Sequence, residues 1–308
     1  MTSAIASDDY KLLRESAGLL ERGDRTIVEL SGAEAAEFLQ GQVTNDVEAL
    51  EPGAGCYAAL LDHKGKIRTD MRVLRLAPDR LLVDAEGSSR AVIDHVFETY
   101  SLGRQVSHKD LSDDHSVLSL IGPAARAALD PAPAEREYDH LLTPYGVAAT
   151  TDIGLDLICG ERQAAAARAE LGVAEVPEDA AECLRIESGR PRLGFELDGV
   201  IPQEAALNER AVSFTKGCYV GQETVARLHY KGKPNRHLRG LRLSVPATHG
   251  DPVMLGDREV GTIGSACVSP IHGPIALALI RREAAPDQEV LVGAAGDRAV
   301  VTDLPFTQ

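Results

Sequence analysis

Residues 56–76 read CYAALLDHKGKIRTDMRVLRL, and their pattern sets the class of the fold. Residues 56–61 are apolar and strand-like, and His63-Lys64-Gly65-Lys66 reads as a hairpin turn. Residues 67–76 then alternate. Ile67, Thr69, Met71 and Val73 share one face, while Arg68, Asp70 and Arg72 share the other. Upstream, residues 25–30 (RTIVEL) form a β-branched strand. Ser31-Gly-Ala-Glu34 follows it in the order of a capping box and predicts a helix to about Gly41. Pro52 and Gly53 break the chain. Downstream, residues 81–85 form another strand. Apolar residues at 92, 93, 96, 97 and 100 then give helical spacing over 89–100.

The pattern recurs loosely along the chain. Strands are predicted over 116–121 and 155–159, with helices over 123–129, 163–171 and 179–188, the last stopped by Gly189 and Pro191. The first ten residues read as a loose tail. Strands and helices in this order predict an α+β body of the split βαβ kind. After Pro234 helical spacing ends. Short alternating runs at 237–245, 259–268, 275–280, 289–292 and 298–302 predict an all-β terminal domain, a small barrel. The expected domains are a body over 1–232, built as two interleaved lobes, and a barrel over 233–308.

The chain has 308 residues, enough for about two domains and a large core without disulfides or a structural metal. Its five cysteines are odd in number, far apart and without a CxxC pair, which fits a reducing cytoplasm and excludes a zinc ribbon or a cysteine-ligated cluster. No run of apolar residues is long enough to span a membrane, and residues 1–10 carry no secretion signal. With 32 basic and 47 acidic side chains the net charge is −15, which disfavours stable nucleic-acid binding. Nucleotide-binding glycine loops, HExxH and GxSxG are absent, and the histidines match no zinc template, so no metal is expected.

The densest stretch is KGCYVGQETVARLHYKGKPNRHLRGLR, residues 216–242, with seven basic residues against Glu223 alone. A basic island on an acidic chain points to an anionic ligand or partner, or else to a rim whose charges pair locally. Cys218 precedes a helix predicted from Gln222 to about Tyr230. The helix dipole and Lys216 favour its thiolate, although free cysteine is often a small buried hydrophobe. Asp70 is open to two readings: an ion pair with Arg68 or Arg72, or a carboxylate in a cleft that holds a protonated amine or heterocycle. Glu187 ends a helix against the preference of the dipole, which hints at a ligand role.

Four segments carry a resemblance. KGCYVGQE followed by TVAR at residues 216–227, LQGQVTND at 39–46, LLDHKGKIRTD at 60–70 and RIESGRPR at 185–192 stand in the order seen in the YgfZ family of folate-binding proteins. That family is related to the aminomethyltransferase (T-protein) of the glycine cleavage system. The resemblance spans about residues 25–245, and the β-rich end is similar to the family's terminal barrel.

The resemblance implies a three-lobed cloverleaf with two ferredoxin-like α+β lobes and a C-terminal barrel. A central channel would hold tetrahydrofolate or a one-carbon derivative. Glu187 would then hydrogen-bond the pteridine, since a carboxylate accepts two N–H donors from its aminopyrimidinone edge. Asp70 would lie near folate N5 and N10. Arg227 and Lys216 would face the glutamate tail, and Tyr219 and Gln222 would complete the cofactor set. Cys218 would be a nucleophilic or redox thiol beside the folate, which leaves open whether the protein is itself an enzyme.

The family's role, maintenance of iron–sulfur enzymes including tRNA-modifying ones, implies iron–sulfur client partners. Two departures bear on the alternative, a folate-dependent one-carbon transferase. Aminomethyltransferases carry two adjacent acids where this chain has Thr69-Asp70, and they lack the cysteine of KGCY. A scaffold that keeps its folate pocket as a relic is a third reading. No long heptad run occurs, and a monomer is expected.

Overall fold

The computed structural model describes residues 7–307, and these fall into two compact units. One unit contains Lys11–Val176 and Asn208–Gln222. The other contains Pro177–Leu207, the chain from Glu223 onward and the described residues up to Tyr10. The tail expected over the first ten residues lies outside the described residues as far as residue 6. From there the chain is helical, as α1 (Ser7–Glu15).

The first unit holds β1 (Gly18–Arg22), β2 (Arg25–Ser31), α2 (Ala35–Gln40), β3 (Gly55–Leu61), β4 (Ile67–Ala77), β5 (Arg80–Glu86), α3 (Arg90–Tyr100), β6 (Ser107–Asp110), β7 (His115–Ile121), β8 (His140–Thr143), β9 (Gly146–Thr151), β10 (Gly154–Gly160) and α4 (Glu161–Glu170). They form two five-stranded antiparallel sheets. One has the order β3-β4-β5-β2-β6 and the other β1-β7-β10-β9-β8. The predicted hairpin is β3–β4, with Tyr57 opposite Arg72 and Ala59 opposite Asp70. The expected helix over 123–129 is a 3-10 turn at Ala125–Ala128.

The face of β4 that carries Thr69, Met71 and Val73 is buried, as the alternation requires. It packs with Val28, Leu30, Phe38, Ile93 and Phe97 into a core shared with α2 and α3. Phe38 and Phe97 meet edge to face at 5.8 Å. The opposite face is buried too, at Arg72 and Leu74. There Ile27, Leu74 and Leu82 of one sheet meet Val117, Val147, Ala149 and Ile158 of the other.

Arg72 lies in this layer. It is 7% exposed and bridges Asp84 at 2.7 Å and Asp156 at 2.8 Å. Arg25 adds a second contact to Asp84 at 2.9 Å, and Ser119 donates to Asp156 at 2.5 Å. Burial alone would raise the Asp156 carboxyl, but Arg72 and Arg22 hold it below the usual carboxylate range.

The capping box at Ser31 does not form. Ser31 is the last residue of β2, paired with Ser107 across β6, and the two hydroxyls meet at 2.9 Å. Glu34 takes the N-cap position without a side-chain cap, and its carboxylate instead accepts the Gln105 N–H. Sheet pairing takes the serine that local sequence assigns to the helix.

The second unit holds α5 (Glu178–Glu187) and, after α6 (Asn208–Ala211) and α7 (Gln222–Lys231), the strands β11 (Arg236–Leu243), β12 (Pro252–Leu255), β13 (Arg258–Ser269), β14 (Gly273–Arg281), β15 (Glu289–Val292) and β16 (Asp297–Thr302). Helix α6 belongs to the first unit, and α7 begins at that unit's last residue. The six strands close into a barrel in the order β11-β14-β13-β12-β15-β16. The periodicity had missed β12, a four-residue strand that carries a proline. Leu241, Val253, Ile263, Ala276, Ala278, Ile280, Val290 and Val301 fill the interior. Helix α5 packs outside, on β13, where alternate residues Ser265, Cys267 and Ser269 meet Arg185, Cys183 and Glu187.

Removing the buried cation should cost most in this fold. Arg72→Ala leaves Asp84 with Arg25 and Asp156 with Ser119 in an apolar layer, and a broken buried pair costs about 3–5 kcal/mol. Urea unfolding is expected to show a loss of that size, against less than about 1 kcal/mol for the exposed pair partner Arg258→Ala.

Candidate functional site

Asp70 projects from β4 beside Tyr57, its diagonal neighbour on β3. The Tyr57 hydroxyl donates to Asp70 Oδ2 at 2.6 Å. Residues two apart on paired strands share a face, so the hairpin register alone brings the phenol to the carboxylate. Asp70 Oδ1 is buried without a hydrogen-bond partner. Burial pushes the Asp70 carboxyl up, against the Tyr57 hydrogen bond that stabilises its anion. Burial, reinforced by the Asp70 charge, also pushes the Tyr57 phenol up.

The Arg210 guanidinium of α6 sits 5.1 Å from the Tyr57 ring centroid. It pairs with Glu137 and donates to the Tyr138 hydroxyl at 2.9 Å. The result is a carboxylate with one satisfied and one open oxygen, beside a phenol whose ring is covered by a guanidinium. An open acceptor on a buried acid suits an N–H or O–H donor. Neither Arg68 nor Arg72 pairs with Asp70, because Arg72 is committed to Asp84 and Asp156. Thr69, the neighbour on β4, points the other way and is fully buried, with its hydroxyl on Ser89 at 2.5 Å.

The loop before α7 is held from inside. Lys216 is 9% exposed. Its Nζ donates to the carbonyls of Gln40, Val43 and Asn45 at 2.5, 2.7 and 3.0 Å. Burial pulls the Lys216 ammonium down to about 8. This lysine is a tie to the turn after α2 and does not face solvent, so it takes no part in the cationic surface expected of the island. Tyr219 is 8% exposed, with the Lys216 ammonium 5.0 Å from its ring centroid. Burial pushes its phenol up to about 12.

Gly221 has φ +82°, and a Cβ there would lie 2.5 Å from the Asp62 carbonyl oxygen, so only glycine lets the loop seat on the β3–β4 turn. Gln222 opens α7 and donates its backbone N–H to the Tyr219 carbonyl at 3.3 Å. Between these anchors Cys218 is exposed, whereas Cys56, Cys159, Cys183 and Cys267 are buried. Burial pushes the Cys56 thiol up to about 12 and the Cys159 thiol up to about 11, which keeps both protonated.

In the second unit Glu187 ends α5 and is 6% exposed. Its Oε1 accepts from Ser269 at 2.6 Å and Tyr10 at 2.9 Å, and Oε2 accepts from Tyr10 at 3.0 Å. The Cys183 thiol adds a contact at 3.5 Å. The carboxylate set against the helix dipole is therefore held by three side-chain donors. Arg227 lies exposed on α7. Other charges of the island are spent locally, Arg236 on Glu204 and Arg239 on Asp303.

Asp70, Lys216, Cys218, Tyr219 and Gln222 thus stand in the first unit, and Glu187 and Arg227 in the second. The reading of residue types missed Tyr57, Tyr138 and Arg210. Tyr57 was within reach, since the hairpin turn fixes which β3 residues flank Asp70. Arg210 and Tyr138 arrive from distant segments and left no local signal.

Residues 2–157 match the GCVT N-terminal domain family, and residues 236–308 match the glycine cleavage T-protein C-terminal barrel domain. The chain is 27% identical over 331 residues to an aminomethyltransferase of Corynebacterium aurimucosum, covering 97% of this chain and 89% of that relative. It is 28% identical over 233 residues to the tRNA-modifying protein YgfZ of Colwellia psychrerythraea, covering 71% of this chain and 70% of the relative. The crystal structure of the glycine cleavage system aminomethyltransferase T from Bartonella henselae shares the fold, with a TM-score of 0.88 at 23% identity over 99% of this chain and 91% of that one.

Two tests follow from the loop. A bulky thiol reagent should label one cysteine per native chain, Cys218 by peptide mapping, with the other four shielded from it until the chain unfolds. Lys216→Met leaves three buried carbonyls without their donor and should lower stability by about 2–3 kcal/mol, read by urea unfolding.

Proposed function

The chain belongs to the GCVT family, and from that premise we propose that it is a tetrahydrofolate-binding protein of the YgfZ type that supports assembly or repair of iron–sulfur enzymes, tRNA-modifying ones included. The observation that carries this reading is the exposed Cys218, displayed on a loop pinned by Lys216 and seated by Gly221. A chain that buries four of its thiols and holds the fifth out on an anchored loop favours a working cysteine over a packing one.

Tetrahydrofolate fits the acceptors on offer. Asp70 Oδ1 is an orphaned buried oxygen suited to a donor from the reduced ring system. Glu187 keeps acceptor capacity at Oε2, where Tyr10 is the donor present. Arg227 supplies a cation for the glutamate tail. When bound, the folate would supply a one-carbon carrier or a reductant. The chain's own residues would orient it, with Tyr57 fixing the Asp70 carboxylate and Tyr10 and Ser269 fixing Glu187. A three-lobed arrangement around a central channel, a cytoplasmic setting, iron–sulfur client enzymes and a monomeric state belong to the same proposal.

The second reading, a folate-dependent aminomethyltransferase, is favoured by relatives that cover nearly the whole chain. Thr69 weighs against it. Of the two positions where adjacent acids would stand, one keeps Asp70 and the other holds a hydroxyl turned into the core and bonded to Ser89.

The test combines binding with complementation. Calorimetry should show tetrahydrofolate binding to the wild type, weakened about tenfold by Asp70→Asn, equivalent to 1.4 kcal/mol. In a strain deleted for the gene, activity of an iron–sulfur tRNA-methylthiolating enzyme should return with the wild type and not with Cys218→Ser, although that variant binds folate normally. Equal rescue by Cys218→Ser would reduce the cysteine to packing. Turnover of an aminomethylated lipoyl carrier with tetrahydrofolate would establish the second reading instead.

A further inference from the structure

Away from the Cys218 loop two thiols stand in contact. Cys183 on α5 and Cys267 on β13 are both unbridged, and their sulfurs stand 3.6 Å apart. They come from positions 84 residues apart in sequence. The contact is enforced by packing. Helix α5 lies along the outer face of β13, with Arg185 on Ser265 at 2.5 Å to one side of the pair and Glu187 on Ser269 at 2.6 Å to the other. Two polar clamps therefore hold the thiols in register. Cys183 is fully buried, Cys267 is 6% exposed, and Cys183 Sγ lies 3.5 Å from Glu187 Oε1.

We propose that Cys183 and Cys267 are a redox site that closes to a disulfide under a hydroperoxide, with Glu187 as the proton acceptor. The Cys267 sulfur, the more accessible one, attacks the hydroperoxide. The O–O bond breaks, a sulfenic acid forms on Cys267, and water or an alcohol leaves with the proton of that thiol. The Cys183 sulfur then attacks the sulfenic sulfur, so that the S–S bond forms as the S–O bond breaks. Glu187 takes the Cys183 proton and returns it to the departing hydroxide, which leaves as water. The thiols together lose two electrons and two protons, and the hydroperoxide gains both.

The surroundings set the protonation of this site. Cys267 and burial push the Cys183 thiol up, and the Glu187 charge adds to the effect. Cys183 therefore stays protonated at rest, and its proton passes to Glu187 as the bridge closes. Closing the bridge removes the Cys183 S–H donor from Glu187 Oε1. The carboxylate retains Tyr10 and Ser269 and gains one acceptor position. That consequence matters to a ligand at Glu187, but the bridge itself rests on the sulfur geometry and not on the folate reading.

The experiment uses the full chain carrying Cys218→Ser, which removes the exposed thiol. The folded protein is treated with hydrogen peroxide, quenched, unfolded and titrated for thiols, then mapped by mass spectrometry without reduction. Two of its four thiols should disappear together, and a peptide pair linked through Cys183 and Cys267 should appear, losing the link on reduction. Cys267→Ser in the same background should retain Cys183 as a thiol. Four titratable thiols after treatment, or sulfinic and sulfonic products without the linked peptides, would overturn the proposal. Folate binding is not read, so this outcome is separable from failure of the functional reading.

Discussion

A single buried cation, Arg72, fixes the relation between the two sheets of the first unit. It leaves β4 of one sheet and reaches Asp84 beside it and Asp156 on β10 of the other. Apolar contacts between sheets tolerate sliding, because burial carries no direction. A guanidinium between two carboxylates does not, because its hydrogen bonds are lost within an ångström or so. The apolar residues around it supply the driving force for stacking, and Arg72 supplies the register. With that register set, the β3–β4 hairpin turns Tyr57 and Asp70 towards α6, where Arg210 meets the Tyr57 ring.

Lys216 and Glu187 are held by distant segments. Lys216 reaches carbonyls more than 170 positions away, and Glu187 takes its phenolic donor from Tyr10, 177 positions upstream. Each is a polar group buried with its partners supplied, the condition under which burial fixes a side chain in place. Asp70 departs from this rule at one atom, Oδ1. A carboxylate made half-complete by its own fold is the place where a ligand's donor would recover the missing hydrogen bond.

Much of this was legible in the sequence where the signal was periodic. The β3–β4 hairpin, helix α3 and the strands of the barrel other than β12 follow from alternation and helical spacing, and the turn at Gly65 fixed the pairing. The short strands β6 and β8 were not legible, since four polar or mixed residues carry no period, and they exist because a neighbour offers a ladder. Ser31 shows the opposite failure, in which a well-formed local capping signal lost to pairing with β6. Lys216 misled for a related reason. A lysine in a basic run reads as surface charge, and only the fold reveals three carbonyls converging on its ammonium. Cys218 read correctly as a cysteine ahead of a helix, but its exposure depends on Gly221 fitting the β3–β4 turn.

The barrel and the sheets differ in one respect that concerns the molecule among its neighbours in a crowded solution. In the barrel β11 pairs with both β14 and β16, so the ring is sealed and offers no ladder to a passing chain. The sheets end on strands with open sides, and β6 and β8 are two of these ends. Both are only four residues long, and β6 reads Ser-His-Lys-Asp, with charge at the rim. A short, charged margin gives an incoming strand few hydrogen bonds and an electrostatic penalty. The brevity that hid these strands from the sequence also makes them poor templates for polymerisation.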